Sequence, residues 1–326
     1  MDLTILAPDP FLLLFAVFLD GLFGDPVYAC HPIRLMGATL SIFERAMRRI
    51  GLDGYAGGCL LMVLLSALWL GIVCGLAMVL NYAQYDAGWI FQAYIIFSMI
   101  ALKDLCKHGM DIDRAADPDS ARRAVSMLVG RDTDRMDTAA CRRAGMESLS
   151  ENAVDGFVSP VFWYVVLGLP GIVFFKVVST MDSMVGFRTP RYRYFGWCGA
   201  RMDDVLNYVP ARLTCLGMVA VAFILPGCSA RKALIAGWRQ HALVPGPNSG
   251  WSEATAAGGL QRRLAGPIWQ DGERITDVWL GEGSDPEGGQ PGDMRRACTF
   301  VIVTCLLATV AAVACLFVLP PRGLTF

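Results

Sequence analysis

GGCLLMVLLSALWLGIVCGLAMVL, residues 57–80, runs for 24 positions without a charged side chain, and ACTFVIVTCLLATVAAVACLFVL, residues 297–319, repeats the pattern. An α-helix rises about 1.5 Å per residue, so either run reaches across a hydrocarbon core about 30 Å thick. The segments MDSMVGFRTPRYRYFGW (181–197) and GARMDDVLNYVPAR (199–212) have the opposite character, being dense in Asp, Arg, Gly, Pro and aromatic residues. This alternation specifies an all-α, polytopic membrane bundle with polar, partly helical cytoplasmic loops, read as a single integral membrane domain over 1–326.

Composition agrees, because 55% hydrophobic and 17% charged residues with a mean hydropathy of +0.46 exceed what a soluble chain of this length shows. A net charge of −1 without blocks of like charge excludes a nucleic-acid-coating role. The eleven cysteines stand singly, with Cys59, Cys74, Cys215, Cys298, Cys305 and Cys315 inside apolar runs and no C-x-x-C pair. They read as small packing residues, not as a disulfide framework or a zinc or iron–sulfur site.

Outward from the two clear spans, MDLTILAPDPFLLLFAVFLDGLFGDP lacks a basic start and a cleavage site, which predicts a retained helix near 5–23. Residues 89–102 form a third helix returning from a turn free of Lys and Arg. The run 157–178 is broken at Gly168-Leu169-Pro170-Gly171, which suits a kink or a re-entrant hairpin, and 213–226 is too short to span upright. Arg34, Arg45, Arg48 and Arg49, and the basic stretch 103–156, place both segments on the cytoplasmic side. The Gly- and Pro-rich stretch 246–296 reads as a surface loop region, and no internal repeat supports a transporter built from inverted halves.

Five groups of residues are candidates for chemistry. Glu147, Glu151 and Asp155 recur every four residues, so on a helix they stack on one face, which a divalent cation or cationic substrate neutralises; the plain alternative is a solvated helix start. Asp203, Asp204 and Asn207 offer oxygen ligands within one turn, or pair with Arg201 and Arg212. Asp182 precedes Gly186, Arg188, Arg191 and Tyr192, whose guanidinium forks suit phosphate or carboxylate, or else lipid headgroups. His31 is a candidate base or a hydrogen-bonded turn residue, near Asp20, Asp25 and Arg34. His241, Asn248, Ser249, Trp251 and Glu253 surround a helix start able to receive an anion, although Ser249 or Ser252 as N-cap and Glu253 as dipole partner explain part of it. There is no phosphate loop, zinc helix or nucleophile elbow.

LDGLFGDP (19–26), HPIRLMG (31–37), RRAVSMLVGRDT (122–133), ESLSENAVDGFVSPVFWY (147–164), KVVSTMDSMVGFRTPRYRYFGW (176–197), DDVLNYVPARLT (203–214) and PNSGWSEA (247–254) together resemble the CobD/CbiB family of cobalamin biosynthesis over nearly the whole chain. The resemblance implies a multi-pass protein of the bacterial inner membrane with its active side in the cytoplasm. It also implies ATP-dependent amide synthesis, joining adenosylcobyric acid to aminopropanol phosphate or threonine phosphate. ATP and Mg2+ are then required, the corrinoid and the amino-alcohol phosphate are substrates, and lipid surrounds a chain for which a homo-oligomer remains open.

On that chemistry Asp182, Asp204, Glu147 and His31 are expected as catalytic groups and Glu151, Asp155, Asp203 and Asn207 as metal ligands. Arg34, Arg188, Arg191, Tyr192, Arg212, Asn248 and Trp251 are expected to bind substrate. The stretch 262–296 is looser than the family pattern. Two other classes compete: a non-catalytic membrane sensor resembling the AmpE relatives, which would not keep these acid and arginine strings, and a magnesium-dependent transferase, which would carry paired D-D-x-x-D motifs absent here.

Overall fold

The computed structural model describes residues 3–26 and 28–318, and these are mostly helical. Among them, five helices are long and apolar enough to cross a membrane: Thr4–Phe23, Tyr55–Ala83, Tyr85–Asp113, Thr138–Val185 and Asp293–Val318. The pair Trp197–Leu206 and Tyr208–Ile224, interrupted at Asn207, makes a sixth if counted as one span. The apolar stretches expected from the sequence overlap these helices, with Leu225 and Pro226 beyond the end of Tyr208–Ile224 and Leu319 outside the described residues. The short run 213–226 gains its length by extending back to Tyr208.

Contacts divide the chain into two compact units. The first takes residues up to Ala101, Ser159–Asn207 and the chain from Thr309. Its helices are α1 (Pro10–Phe23), α2 (Pro32–Arg49), α3 (Tyr55–Ala83), α4 (Tyr85–Met99), then α8 (Ser159–Val185) and α9 (Trp197–Leu206). Asp9 caps α1, its Oδ1 accepting from Phe11 N at 2.7 Å and Leu12 N at 3.1 Å, with Pro10 at the first turn where a missing N–H costs nothing. Val63, Leu64, Ile72, Leu76 and Val79 of α3 stay exposed, as a lipid-facing helix requires.

The break expected in 157–178 is present. Gly168 has φ 68° and ψ −150°, a conformation essentially restricted to glycine, and a Cβ there would stand 2.1 Å from Leu6 O. Gly168→Ala is therefore expected to cost at least about 1–3 kcal/mol from backbone strain alone, read as a lowered unfolding midpoint of the detergent-solubilised protein.

The second unit takes Leu102–Val158 and Tyr208–Ala308. It holds α5 (Leu102–Asp113), α6 (Pro118–Val125), α7 (Thr138–Ala153), α10 (Tyr208–Ile224), α11 (Ala230–Gln240) and α12 (Ser249–Leu260). The helix α13 (Asp293–Val318) begins in it. A π-helical turn, Val154–Val158, follows α7. Glu147 and Glu151 share one face of α7, and Asp155 falls in the π-helical turn that follows it.

The stretch 246–296 differs from the surface loop expected. Residues 250 and 252–260 of α12 are buried. They are small because α11 approaches backbone to backbone: a Cβ on Gly258 would stand 2.3 Å from Lys232 O, and one on Gly250 2.0 Å from His241 O. Beyond it, β1 (Leu264–Ala265) pairs antiparallel with β4 (Trp279–Leu280), and β2 (Ile268–Gln270) with β3 (Glu273–Thr276). Lys232 Nζ to Asp285 Oδ1 at 2.5 Å and Arg262 Nε to both Asp293 oxygens at 2.9 and 3.0 Å pin these turns.

Candidate functional site

In the first unit, Asp182 at the end of α8 lies within electrostatic reach of Asp203 and Asp204 on α9, and Lys176 also faces Asp203. Asp182 is locked in place. A Cβ on Gly186 would meet its Oδ1 at 2.0 Å, so the glycine of the M-V-G-F string makes room for the carboxylate. Ser159 Oγ donates to Asn207 Oδ1 at 2.5 Å, and Asn207 Nδ2 donates to Asp203 Oδ2 at 2.8 Å. Both polar atoms of the Asn207 amide are engaged in this relay, which orients Asp203. Asp204 accepts from Arg201 at 3.2 Å.

The turn between α8 and α9 is clamped to α2. Glu44 Oε1 accepts from Arg191 at 3.0 Å and from Arg48 Nε at 2.8 Å, Arg48 donates to Arg191 O at 3.0 Å, and Arg48 lies over the Phe195 and Tyr192 rings. Arg191 thus holds the turn while Arg188 projects exposed. Burial works to raise the Glu44 carboxyl, but the Arg191 and Arg48 hydrogen bonds outweigh it and hold it below the usual carboxylate range. A depressed folded-state value gives stability that is complete above the unfolded value of about 4.3 and lost as pH falls through the folded one. Amide exchange in 186–196 is expected to accelerate below about pH 4, and no acid-induced change there in Glu44→Gln is the matching control.

Near the amino terminus His31 Nε2 stands 2.6 Å from Asp25 Oδ1, and Arg34 donates to Tyr28 O at 3.4 Å. His31 begins α2 as its N-cap position, without a side-chain cap bond.

In the second unit, Glu147 and Arg131 form a buried pair, Glu147 Oε2 accepting from Arg131 at 2.7 Å. Glu147 Oε1 accepts from Ala265 N at 2.9 Å, and Arg143 Nε donates to Ala265 O at 2.9 Å. One turn of α7 therefore grips both sides of a peptide whose residue sits at φ 62°. Glu253 of α12 faces Glu147, Glu151 and Arg131, and is only 7% exposed. Burial first, then Glu151 and Glu147, push its carboxyl well above the usual range. Glu151 itself is exposed, so the acidic group runs from the surface inward.

Arg212 NH1 donates to Asn248 Oδ1 at 2.9 Å, and its guanidinium lies 3.6 Å from the Tyr208 ring centroid and 5.0 Å from that of Trp251. Trp251 stacks on His241 at 3.9 Å. The expected trio Arg212, Asn248 and Trp251 is brought together at the start of α12, with Asn248 as N-cap position in place of Ser249 or Ser252.

The residues undervalued from sequence are Glu253 and Arg131. Glu253 carried a signal, as the acid of a small-residue helix, but its burial depends on the close approach of α11. Among the described residues no three of His, Cys, Asp and Glu gather closely enough to hold a metal ion by themselves.

These features define a multi-pass helical membrane protein bearing acid and guanidinium pairs in each of two units, with Glu44 buried in the first and Glu147 and Arg143 in the second. A family model described as CobD/Cbib protein matches residues 13–318. The cobalamin biosynthesis protein CobD of Photorhabdus laumondii is 36% identical over 276 residues, covering 82% of this chain and 86% of its own. CbiB of Salmonella choleraesuis is 36% identical over 271 residues, with 81% and 84% covered, and CobD of a Sinorhizobium species 36% over 318 residues, with 93% and 97% covered. No solved structure matches. The chain belongs to the CobD/CbiB family of cobalamin biosynthesis proteins.

Proposed function

We propose that the protein is an amide ligase, an adenosylcobinamide-phosphate synthase, that joins a corrinoid carboxylate to an amino-alcohol phosphate at the expense of ATP. It works in the bacterial inner membrane with its polar segments on the cytoplasmic side. The observation that carries this reading is that the acid and arginine strings lie inside the family match, with Glu44 buried in the first unit and Arg143, Glu147 and Glu253 buried in the second.

A carboxylate does not condense with an ammonium in water at a useful rate. Transfer of the γ-phosphoryl group to the carboxylate oxygen releases ADP and leaves an acyl phosphate. The amine nitrogen, having lost one proton, attacks the carbonyl carbon; the C–N bond forms and the C–O bond to phosphate breaks. Of the two protons that leave the original ammonium, one ends on phosphate and one is released. Magnesium would come with the nucleotide phosphates, held by one or two protein carboxylates, and would neutralise phosphate charge.

In the first unit Asp182, Asp203 and Asp204 are the acids for proton handling and would face the nucleotide's magnesium, with Arg188 for phosphate; in the second unit Arg212 is a separate guanidinium suited to phosphate. Purified protein in detergent with MgATP, adenosylcobyric acid and aminopropanol phosphate is expected to yield one ADP per amide, followed by mass spectrometry. ADP released without amide, or no reaction with any corrinoid acid, overturns the proposal.

A further inference from the structure

In the first unit, the turn between α8 and α9 backs onto the start of α3. A Cβ on Gly58 would stand 1.9 Å from Phe195 O, so glycine alone lets the turn lie this close to the first turn of the span. Tyr55, the first residue of α3, meets Tyr194 and Trp197 edge-on, with ring centroids 5.3 and 5.5 Å apart, and Arg193 lies over the Tyr194 ring at 5.7 Å. All three rings are about half exposed. Residues 186–197 carry Arg188, Arg191 and Arg193 and no acid; Arg49 is exposed in the last turn of α2, and Asp53 is the one acid between α2 and α3. Glu44 is taken by Arg48 and Arg191, and among the described residues no carboxylate pairs with Arg49 or Arg193.

We propose that this collar of Tyr55, Tyr194, Trp197, Arg193 and Arg49 binds the headgroups of anionic phospholipids where α3 enters the bilayer. Continuity names lipid as the occupant, because onward from Tyr55 the exposed residues of α3 are Leu60, Val63 and Leu64, the start of its lipid-facing side. Rings with an apolar body and a polar tip suit the boundary between acyl chains and headgroups. Charge names the kind of lipid: guanidinium forks pair with phosphate oxygens, and each arginine near the surface favours an anionic headgroup. A second copy of this chain fits worse, since a two-fold contact sets the same arginines against each other. The proposal stands apart from the ligase reading, as none of these five residues has a part in its chemistry.

The full chain is reconstituted in vesicles of phosphatidylcholine containing phosphatidylglycerol, with bromine on the acyl chains of one lipid or the other. Bromine quenches tryptophan fluorescence only at close range. The chain has eight tryptophans, so the Trp197 signal is read as wild type minus Trp197→Phe. Quenching of that signal is expected to show phosphatidylglycerol enriched at least about tenfold over its bulk share, two arginines each contributing about fivefold. Arg193→Gln and Arg49→Gln are each expected to lower the enrichment by about fivefold. High salt, which shortens the screening length, should lower it in the wild type without any substitution.

Equal quenching whichever lipid carries the bromine overturns the proposal. So does a Trp197 signal that neither lipid quenches, the result for a face covered by a second copy or by water. An enrichment that persists in high salt and in both arginine variants also overturns it, because the guanidinium groups would then not be what selects the lipid.

Discussion

Glu147→Ala is expected to destabilise the protein by about 3–5 kcal/mol, the cost typical of removing one partner from a buried ion pair. The magnitude follows from what the carboxylate does. Its two oxygens satisfy Arg131, whose side chain is 13% exposed, and the N–H of Ala265. Alanine removes the carboxylate that Arg131 is hydrogen-bonded to and leaves a peptide N–H without its acceptor. Ala265 is held in the left-handed region, which costs a non-glycine residue about 1–2 kcal/mol, so the segment 261–292 is expected to relax once the grip is lost. Denaturant unfolding in detergent gives the stability, and trypsin cleavage within 261–292 gives the release. The double variant Arg131→Met with Glu147→Met should recover part of the loss, because it removes the stranded guanidinium while the Ala265 N–H still lacks its acceptor. A Glu147→Ala protein within about 0.5 kcal/mol of wild type, the range of ordinary surface substitutions, contradicts the buried pair.

The membrane helices were legible in the sequence because hydrophobic burial in lipid needs no partner: α3 and α13 declare themselves by uninterrupted apolar runs, and the α8 break by its Gly and Pro. What escaped was whatever depends on a distant partner. Residues 249–260 carry no hydrophobic period, since Gly, Ala, Ser and Thr signal burial only once another backbone lies against them. Asp155, one i+4 step beyond Glu151, falls in a π turn that nothing in its own sequence announces. The assignment of Arg191 to phosphate rested on its neighbours in sequence, whereas its partner Glu44 lies 147 residues away. Charge type predicted that these side chains would be engaged; only the fold decides with whom.

The largest effect on activity is expected at Asp182 and Asp204. Asparagine has nearly the same volume as aspartate, so packing around Asp182 against Gly186 and around Asp204 beside Arg201 is preserved while the charge and the basic oxygen are lost. On the ligase reading each substitution removes a group that takes a proton from the amine or faces the nucleotide's magnesium, and amide formation should fall by about 10²–10⁴-fold. Membrane insertion and the unfolding midpoint should remain as in the wild type. Gly186→Ala would press on both the carboxylate and the backbone of Asp182, with a Cβ 2.0 Å from its Oδ1 and 2.5 Å from its O, so the end of α8 must shift, and both activity and stability should drop although every acid is retained. Asp203→Asn belongs to a different class, because Asp203 Oδ2 is the acceptor that ends the Ser159–Asn207 relay; an amide there must reorient two side chains, and stability should fall along with turnover. Wild-type turnover in both Asp182→Asn and Asp204→Asn would remove this unit from the chemistry and leave the reaction to the residues of α7, α10 and α12.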